Sequence, residues 1–304
     1  MTPGYGADMR IVSLLPSTTE ILHAIGAGPD VVGVTFECDY PPQARQARIV
    51  STSSLPEGLA PAEIDAVVTA RVRDGEDLYH LDRGALADLD ADVVVTQDLC
   101  AVCAVDVSVV ADALTYLDTD AQVVTTDPHT IEEVLASVEQ LGAVCGRETA
   151  ARELVAACTA RLEAVAAKVA GRPRPRMLVL EWTDPPFAPG HWIPQMIDSA
   201  GGVAALGVAG EKSYRVGWDD VAASQPDVVV AAPCGFDLSA CEDLANELVA
   251  TGRVPEGVPV WAVDANASFA RPGPRLVEGV EALAAILHPD VLGPADPAYA
   301  ARVR

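Results

Sequence analysis

Short apolar runs alternate along the chain with longer segments that have helical periodicity. Continuous apolar runs between helices are typical of parallel strands that are buried on both faces of a sheet. The predicted strands cover 10–15, 30–35, 91–97, 121–126, 176–182, 227–233 and 258–264. Because strands and helices alternate throughout, we predict an α/β protein with mainly parallel sheets.

The longest predicted helix lies in the middle of the chain. Nothing breaks a helix from Arg147 to Val169, and the GRPRPR segment ends it because proline cannot continue the hydrogen-bond ladder. Such a helix is about 35 Å long, so we predict two Rossmann-like lobes joined by one long connecting helix. The predicted parts are an N-terminal lobe at 9–129, a connecting helical segment at 130–172, a C-terminal lobe at 173–290 and a tail at 291–304.

Capping residues mark the predicted helix starts. Ser17 and Glu20 have the spacing of a capping box, and Thr130 and Glu133 repeat it. In open α/β sheets, ligands bind beyond the carboxyl ends of the strands. We therefore expect a ligand cleft between the lobes, lined by the loops that follow the strands.

Composition excludes several classes of partner. The net charge of −24 would repel nucleic acid and anionic membrane surfaces. No apolar run approaches the length of a membrane span, and the MTPGYGADMR start has none of the features of a secretory signal. We therefore expect a cytoplasmic protein with a small-molecule ligand, no membrane insertion and seven cysteines that are free thiols.

A Cys-x-x-Cys pair, Cys100 and Cys103, follows the third predicted strand. It fits three roles: metal thiolates, a redox pair, or small buried residues that line the mouth of the cleft. A structural zinc site would need a second pair at similar spacing, and the other cysteines supply none. We favour the cleft mouth and keep metal contact open.

The EWTDPPFAPGHWIPQM segment is the predicted loop with the most residues that could contact a ligand. Trp182 and Trp192 flank carboxylates and His191 at the exit of a C-lobe strand, and exposed tryptophans of this kind can stack on a planar ligand. His191 is a candidate axial ligand to a bound metal, a hydrogen-bond donor or a cap of the next turn. Arg271 offers a rigid guanidinium to an anionic or amide group of a ligand.

Motifs of the common enzyme classes are absent. The sequence has no G-x-S-x-G elbow, P-loop or H-E-x-x-H, and helix capping explains the serines and threonines of SLLPSTTE. We therefore assign no catalytic residue. The alternative is a metal-binding or thiol-dependent enzyme that uses Cys100, Cys103 and His191.

Three segments resemble a known family across roughly residues 10–288. They are IVSLLPSTTEILHAIGAGPDVVGVTFECDYPPQARQARIVSTS, the DPPF motif, and ARPGPRLVEGVEALA. The chain resembles the helical-hinge class, class III, of periplasmic substrate-binding proteins, and within it the cobalamin-binding proteins of vitamin importers. The resemblance implies two α/β lobes joined by one helix, a ligand held in the cleft, and limited closure on binding.

Carried over by residue, the resemblance retains two aromatic contacts and loses two. Tyr40 and Trp218 match aromatic residues that face the corrinoid, whereas Ser53 and Ser268 stand where the family has tryptophan. Residues 55–82 form a longer segment than in the vitamin binders, which we expect to cover the N-lobe opening. Because no signal is found and the segment after Trp218 is shorter, docking to an ABC permease is not expected.

The predicted function is therefore non-enzymatic binding of cobalamin, another corrinoid or a similar planar, metal-bearing ligand. A third alternative is an ABC importer receptor whose leader has been removed. The candidate metal ligands are Cys100, Cys103 and His191, and the identity of a metal ion is left open. The candidate ligand-binding residues are Glu37, Tyr40, Ser53, Gln97, Asp98, Cys100, Cys103, Trp182, His191, Trp192, Trp218, Phe269 and Arg271.

Overall fold

The computed structural model describes residues 9–56, 58–74, 76, 78–97, 107–116 and 120–304. The chain divides into two compact units. Unit 1 comprises Met1–Pro128 and Leu135–Val155, and unit 2 comprises His129–Val134 and Ala156–Arg304. No helix in the described part of the chain has both the length and the hydropathy needed to cross a membrane.

Unit 1 is built on a six-stranded sheet with the order β4-β3-β2-β1-β5-β6. All neighbouring strands are parallel except β3 and β4, which are antiparallel. Its elements are β1 (Ile11–Ser13), α1 (Pro16–Ala24), β2 (Val31–Thr35), β3 (Arg48–Ser53), α2 (Pro61–Asp74), β4 (Tyr79–Leu81), α3 (Arg83–Ala87), β5 (Val93–Thr96), α4 (Val107–Tyr116) and β6 (Gln122–Thr125), with 3₁₀ turns at Gly28–Asp30 and Pro42–Gln46.

Two helices follow β6, and both pass from one unit to the other. The first turn of α5 (Ile131–Val144) belongs to unit 2, and the remainder belongs to unit 1. In α6 (Glu148–Val169) the residues up to Val155 belong to unit 1, and the residues from Ala156 onward belong to unit 2. The chain therefore changes unit at 128/129, 134/135 and 155/156, and the helix that the sequence predicts over 147–169 is α6.

Unit 2 contains a five-stranded sheet with the order β10-β7-β12-β13-β14 and a small antiparallel sheet with the order β11-β9-β8. In the larger sheet only β14 is antiparallel to its neighbour. The elements are β7 (Arg176–Leu180), β8 (Trp182–Thr183), β9 (Pro186–Ala188), α7 (Ile193–Ser199), β10 (Val203–Ala204), β11 (Tyr214–Arg215), α8 (Trp218–Ala223), β12 (Val228–Ala231), α9 (Leu238–Ala250), β13 (Val260–Val263), α10 (Ala265–Ser268), α11 (Leu276–Leu287), α12 (Pro289–Leu292) and β14 (Ala300–Arg302).

The sheet of unit 1 is buried on both faces. Ile11 of β1 belongs to a cluster with α1, α5 and α6, whereas its neighbour Val12 belongs to a cluster with α3 and α4. Consecutive side chains of a strand point to opposite faces, so helices cover both sides. This arrangement confirms the α/β fold class with mainly parallel sheets, and the seven predicted strands correspond to β1, β2, β5, β6, β7, β12 and β13.

Two local expectations differ from the structure. Helix α1 begins at Pro16 with Leu15 as its N-cap, so Ser17 and Glu20 lie inside the helix and are buried. Proline suits the first helical position, where no N–H partner is needed, and it places the start one residue before the predicted capping box. Residues 291–304, predicted as a tail, supply β14, which pairs with β13 in the sheet of unit 2.

The segment at 55–82 extends the sheet of unit 1. It contains α2 and β4, and β4 pairs with β3 so that Thr52 lies opposite His80. Arg71 of α2 donates a hydrogen bond to the carbonyl oxygen of Ser54 at 3.0 Å. The extra residues therefore form an edge strand and a helix tied to the end of β3.

We predict that Val138→Ala in α5 lowers the free energy of unfolding by roughly 2 kcal/mol, because it removes buried methyl groups and leaves a cavity. Val138 is fully buried in the core of unit 1, whereas Val72 is 49% exposed. The matched change Val72→Ala should have an effect within about 0.5 kcal/mol. Denaturant unfolding of both variants measures the difference, and equal effects would contradict the assignment of α5 to this core.

Candidate functional site

The carboxyl end of β7 leads directly into the small sheet of unit 2. Glu181 follows β7, and the β8–β9 hairpin then pairs Trp182 with Phe187. Strand β11 adds to the hairpin by pairing Tyr214 with Ala188. These short strands hold the loop at 189–191 beside the carboxyl edge of the larger sheet, where open α/β folds bind ligands.

His191 has a backbone conformation that non-glycine residues rarely adopt. Its φ is 49°, and its N–H donates to the carbonyl oxygen of Glu211 at 2.6 Å. The carbonyl oxygen of His191 accepts from the N–H of Gly210 at 2.9 Å. Left-handed residues other than glycine cost about 1–3 kcal/mol and cluster at functional sites, so this loop is a candidate site on backbone geometry alone.

Gly190 allows the two loops to approach closely. A Cβ atom at this position would lie 2.1 Å from the backbone nitrogen of Ser213 and 2.5 Å from the carbonyl carbon of Lys212. Only glycine fits against a neighbouring backbone at such distances. The position of His191 is therefore set by contact between the loop at 189–191 and the loop that precedes β11.

The side chain of Glu181 forms hydrogen bonds to both of these loops. Its Oε1 atom accepts a hydrogen bond from the N–H of Gly190 at 2.8 Å, and the side chain of Ser213 provides a second hydrogen bond. Burial raises the pKa of Glu181 to about 7, although both hydrogen bonds favour the charged form and lower it. The carboxyl group therefore changes charge close to neutral pH.

We predict that Glu181 makes stability depend on pH between about 4.5 and 7. In this window the folded carboxyl holds a proton that the unfolded one, with an ordinary pKa of 4.5, has lost. The free energy of unfolding contributed by Glu181 therefore rises as pH falls through about 7 and levels off below 4.5. Denaturant unfolding from pH 5 to 8 should show a flatter profile for Glu181→Gln than for the wild type.

The control for this prediction is Glu211→Gln, since Glu211 is an exposed glutamate in the adjoining loop. Its pH profile should follow that of the wild type. A Glu181→Gln profile parallel to the wild-type profile would show that Glu181 titrates outside this window.

His129 lies next to His191, and sequence reasoning missed it. The two ring centroids are 5.5 Å apart at an interplanar angle of 46°, and the ring centroid of Trp192, the next residue in the chain, also lies 5.5 Å from that of His191. His129 directly precedes the predicted helix start at Thr130, whose side chain does accept a hydrogen bond from the N–H of Glu133 at 3.2 Å. The capping residue was visible in the sequence, but the partner of His129 was not.

Trp192 and Phe269 join the loop after β9 to the loop after β13. Trp192 is 5% exposed, and its indole N–H donates to the carbonyl oxygen of Phe269 at 2.7 Å. Phe269 is 1% exposed, and Arg271 is also buried. The observed role of Trp192 and Phe269 is to pack the two loops together, and ligand contact by these three residues stays a prediction.

Trp182 and Trp218 have separate surroundings. The ring of Trp182 lies 5.8 Å from that of Phe236, which follows β12, and both are partly exposed. Trp218 starts α8 and lies under the guanidinium of Arg253 at 5.4 Å. Arg253 belongs to the connection between α9 and β13, and ligand contact by Trp218 stays a prediction.

Hydroxyl groups line the carboxyl end of β1 in unit 1. Ser13 bonds to the hydroxyl of Thr18 at 2.7 Å and accepts from that of Thr19 at 2.8 Å. Thr19 also contacts the thiol of Cys38 at 3.1 Å. All four residues are buried, so the serines and threonines that the sequence assigned to capping instead form a hydrogen-bonded network between β1, α1 and the end of β2.

The remaining unit 1 candidates follow different strands. The hydroxyl of Tyr79 donates to Glu37 at 3.4 Å, and Tyr40 is 46% exposed. Gln97 is buried directly after β5, and Ser53 is the last residue of β3. Asp98, Cys100 and Cys103 lie outside the described residues. In the described ranges, no group of three or more His, Cys, Asp or Glu is arranged to hold a metal ion.

The comparisons with known proteins agree with this fold. A family model described as periplasmic binding protein matches residues 11–250. A substrate-binding lipoprotein of an ABC transporter from Bacillus subtilis is 28% identical over 293 residues, which cover 92% of this chain and 80% of the relative. A vitamin B12-binding protein from Photorhabdus laumondii is 45% identical over 47 residues, 16% of this chain and 17% of that protein.

Solved structures extend the likeness to the whole chain. A periplasmic heme-binding protein from Pseudomonas aeruginosa has a TM-score of 0.71 at 18% identity, and the match covers 97% of this chain and 98% of that one. At this identity the likeness shows the fold and does not extend to the ligand.

Proposed function

The chain belongs to the periplasmic binding protein family, and on that premise we propose that it is a substrate-binding protein for a planar, metal-bearing tetrapyrrole. A corrinoid and a heme share this chemistry: a flat ring that stacks on aromatic side chains and a metal with an open axial position. The vitamin B12-binding protein to which a 47-residue stretch of the chain is similar supports this class, and the heme-binding protein from Pseudomonas aeruginosa shows that the fold can hold a tetrapyrrole.

The observation that carries the proposal is the strained loop at His191. A partly exposed imidazole is held in a left-handed conformation at the carboxyl end of β7, fixed by Glu211 and Gly210. A tetrapyrrole supplies the other metal ligands itself, so the protein needs only one axial donor. Trp182 and Phe236 add partly exposed aromatic rings in the loops after β7 and β12.

We predict that His191 is an axial ligand. Titration with hydroxocobalamin and, separately, with hemin should shift the visible absorption bands of one of them at a ratio of one to one. His191→Ala should abolish the shift, because the imidazole nitrogen is lost. His80→Ala is the matched control, since His80 is exposed on β4 of unit 1. No band shift with either compound would remove the tetrapyrrole proposal.

Trp182 is expected to contribute by stacking. Trp182→Ala should weaken tetrapyrrole binding by about tenfold, the value of an aromatic contact near 1.4 kcal/mol, while the spectrum of the bound complex stays that of the wild type. Titration with metal-free protoporphyrin separates the two contributions, because stacking does not need the metal. Equal affinity of Trp182→Ala and the wild type for all three compounds would exclude a stacking role.

The cytoplasmic location expected in the sequence analysis is a further part of the proposal. Fractionation of the native host should place the protein with the cytosolic enzymes. Recovery with the membranes would instead match the lipoprotein relative from Bacillus subtilis and indicate a receptor that docks to an ABC permease.

A further inference from the structure

We propose that His129 and His191 together form a binding site for a divalent transition-metal ion, in which both imidazoles occupy neighbouring coordination positions of one metal. The inference goes beyond the proposed function, because the ligand is different. It is a free metal ion, or a metal bound to a chelator that leaves two neighbouring coordination positions free, and not a tetrapyrrole. A tetrapyrrole has one free axial position on each face, so only one of two adjacent histidines can bind its metal.

Ring separation supports two donors on one metal. With metal–nitrogen bonds of about 2.0–2.1 Å, an imidazole centroid lies about 3.2 Å from the metal, so rings in two tetrahedral positions lie about 5 Å apart. Rings on opposite faces of a tetrapyrrole would lie about 6.4 Å apart by the same geometry. The observed 5.5 Å between His129 and His191 is closer to the first arrangement and leaves no room for a macrocycle between the rings.

The segment that carries His129 is fixed in place. The backbone N–H of His129 donates to Oε2 of Glu133 at 2.6 Å. Two residues further on, the N–H of Ile131 donates to Oε1 of Gln195 at 2.8 Å, and Nε2 of Gln195 donates to Glu132 at 3.0 Å. Gln195 lies on α7, directly after the loop of His191, so the first turn of α5 is anchored to the element that follows His191.

The loop of His191 is held independently, by Glu211, Gly210 and the close approach of Gly190. Both backbones are therefore placed before a metal binds, which lowers the ordering cost of binding. The Nε2 atom of His191 is shielded from bulk water, and Glu132 and Glu133 lie in the first turn of α5, three and four residues after His129. A shielded imidazole nitrogen and the nearby negative charges favour a cation.

Imidazole donors select borderline metals such as Ni²⁺, Cu²⁺ and Zn²⁺ over Mg²⁺ and Ca²⁺. With two protein donors, water or donor atoms of a chelator complete the coordination. This agrees with the described residues, in which no third His, Cys, Asp or Glu joins the pair. Such a site keeps exchangeable coordination positions on the metal.

The test is calorimetric titration of tag-free protein with Ni²⁺, in a Cys100→Ser/Cys103→Ser background that removes those two thiols. We expect one equivalent to bind, with affinity at least about tenfold weaker in His129→Ala and in His191→Ala. His129→Phe keeps a ring in place but has no nitrogen donor, and it should lose affinity equally. His80→Ala should bind as the background protein does.

Pulsed electron paramagnetic resonance of the Cu²⁺ adduct then counts the bound imidazoles. Two are expected in the background protein and one in either single variant. Absence of Ni²⁺ binding, a count of one imidazole, or full affinity in His129→Phe would each overturn the inference. Circular dichroism confirms that the variants are folded.

The two proposals can fail separately. Tetrapyrrole binding without Ni²⁺ binding would overturn the paired-histidine site and leave the proposed function intact. Ni²⁺ binding without a band shift from hydroxocobalamin or hemin would do the opposite.

Discussion

The constraint on which the structure depends is that helices cover both faces of each parallel sheet. Polar residues can then lie at the carboxyl ends of the strands, where the loops vary in sequence without exposing the core. In unit 1, Ile11 and Val12 point into different hydrophobic clusters, so neither face can carry polar chemistry. In unit 2, β12 and all of β7 after Arg176 are likewise buried; Glu181 directly follows β7, whereas Ala232 and Pro233 come between β12 and Cys234. Ser53 and Gln97 lie at or directly after strand ends, where side chains are not confined between the sheet and its covering helices; Trp218 instead starts α8.

The polar groups at the carboxyl ends of the strands have different hydrogen-bond partners in unit 1 and unit 2. In unit 1, the hydroxyls of Ser13, Thr18 and Thr19 bond to one another and stay buried. In unit 2, Glu181 is largely occupied with holding backbone N–H and hydroxyl groups of other loops, while His191 is held in a strained conformation beside it. A backbone strain of about 1–3 kcal/mol persists only where the surroundings hold the residue in place. Here Gly190 and Glu181 hold the loop of His191.

Much of the fold could be predicted from the sequence, because continuous apolar runs such as those at 91–97 and 227–233 encode strands locally. The short strands β8–β11 and β14 could not, since runs of two or three residues carry no periodicity and depend on their partners. The ligand-binding role of the DPPF loop stays a prediction. The sequence does not show that its two tryptophans differ, because Trp192 is buried and bonds to Phe269, a residue distant in the sequence. His129 was missed because only the fold brings it to His191.

The position of His129 has a mechanical consequence for α5. Its first turn is bonded to Gln195 in unit 2, whereas Val138 and Leu141 further along the same helix are fully buried in the core of unit 1. Moving Ile131 would break its hydrogen bond to Gln195, and moving Val138 would open a cavity in the core of unit 1. Helix α5 is therefore fixed by a hydrogen bond at its first turn and by hydrophobic packing further along.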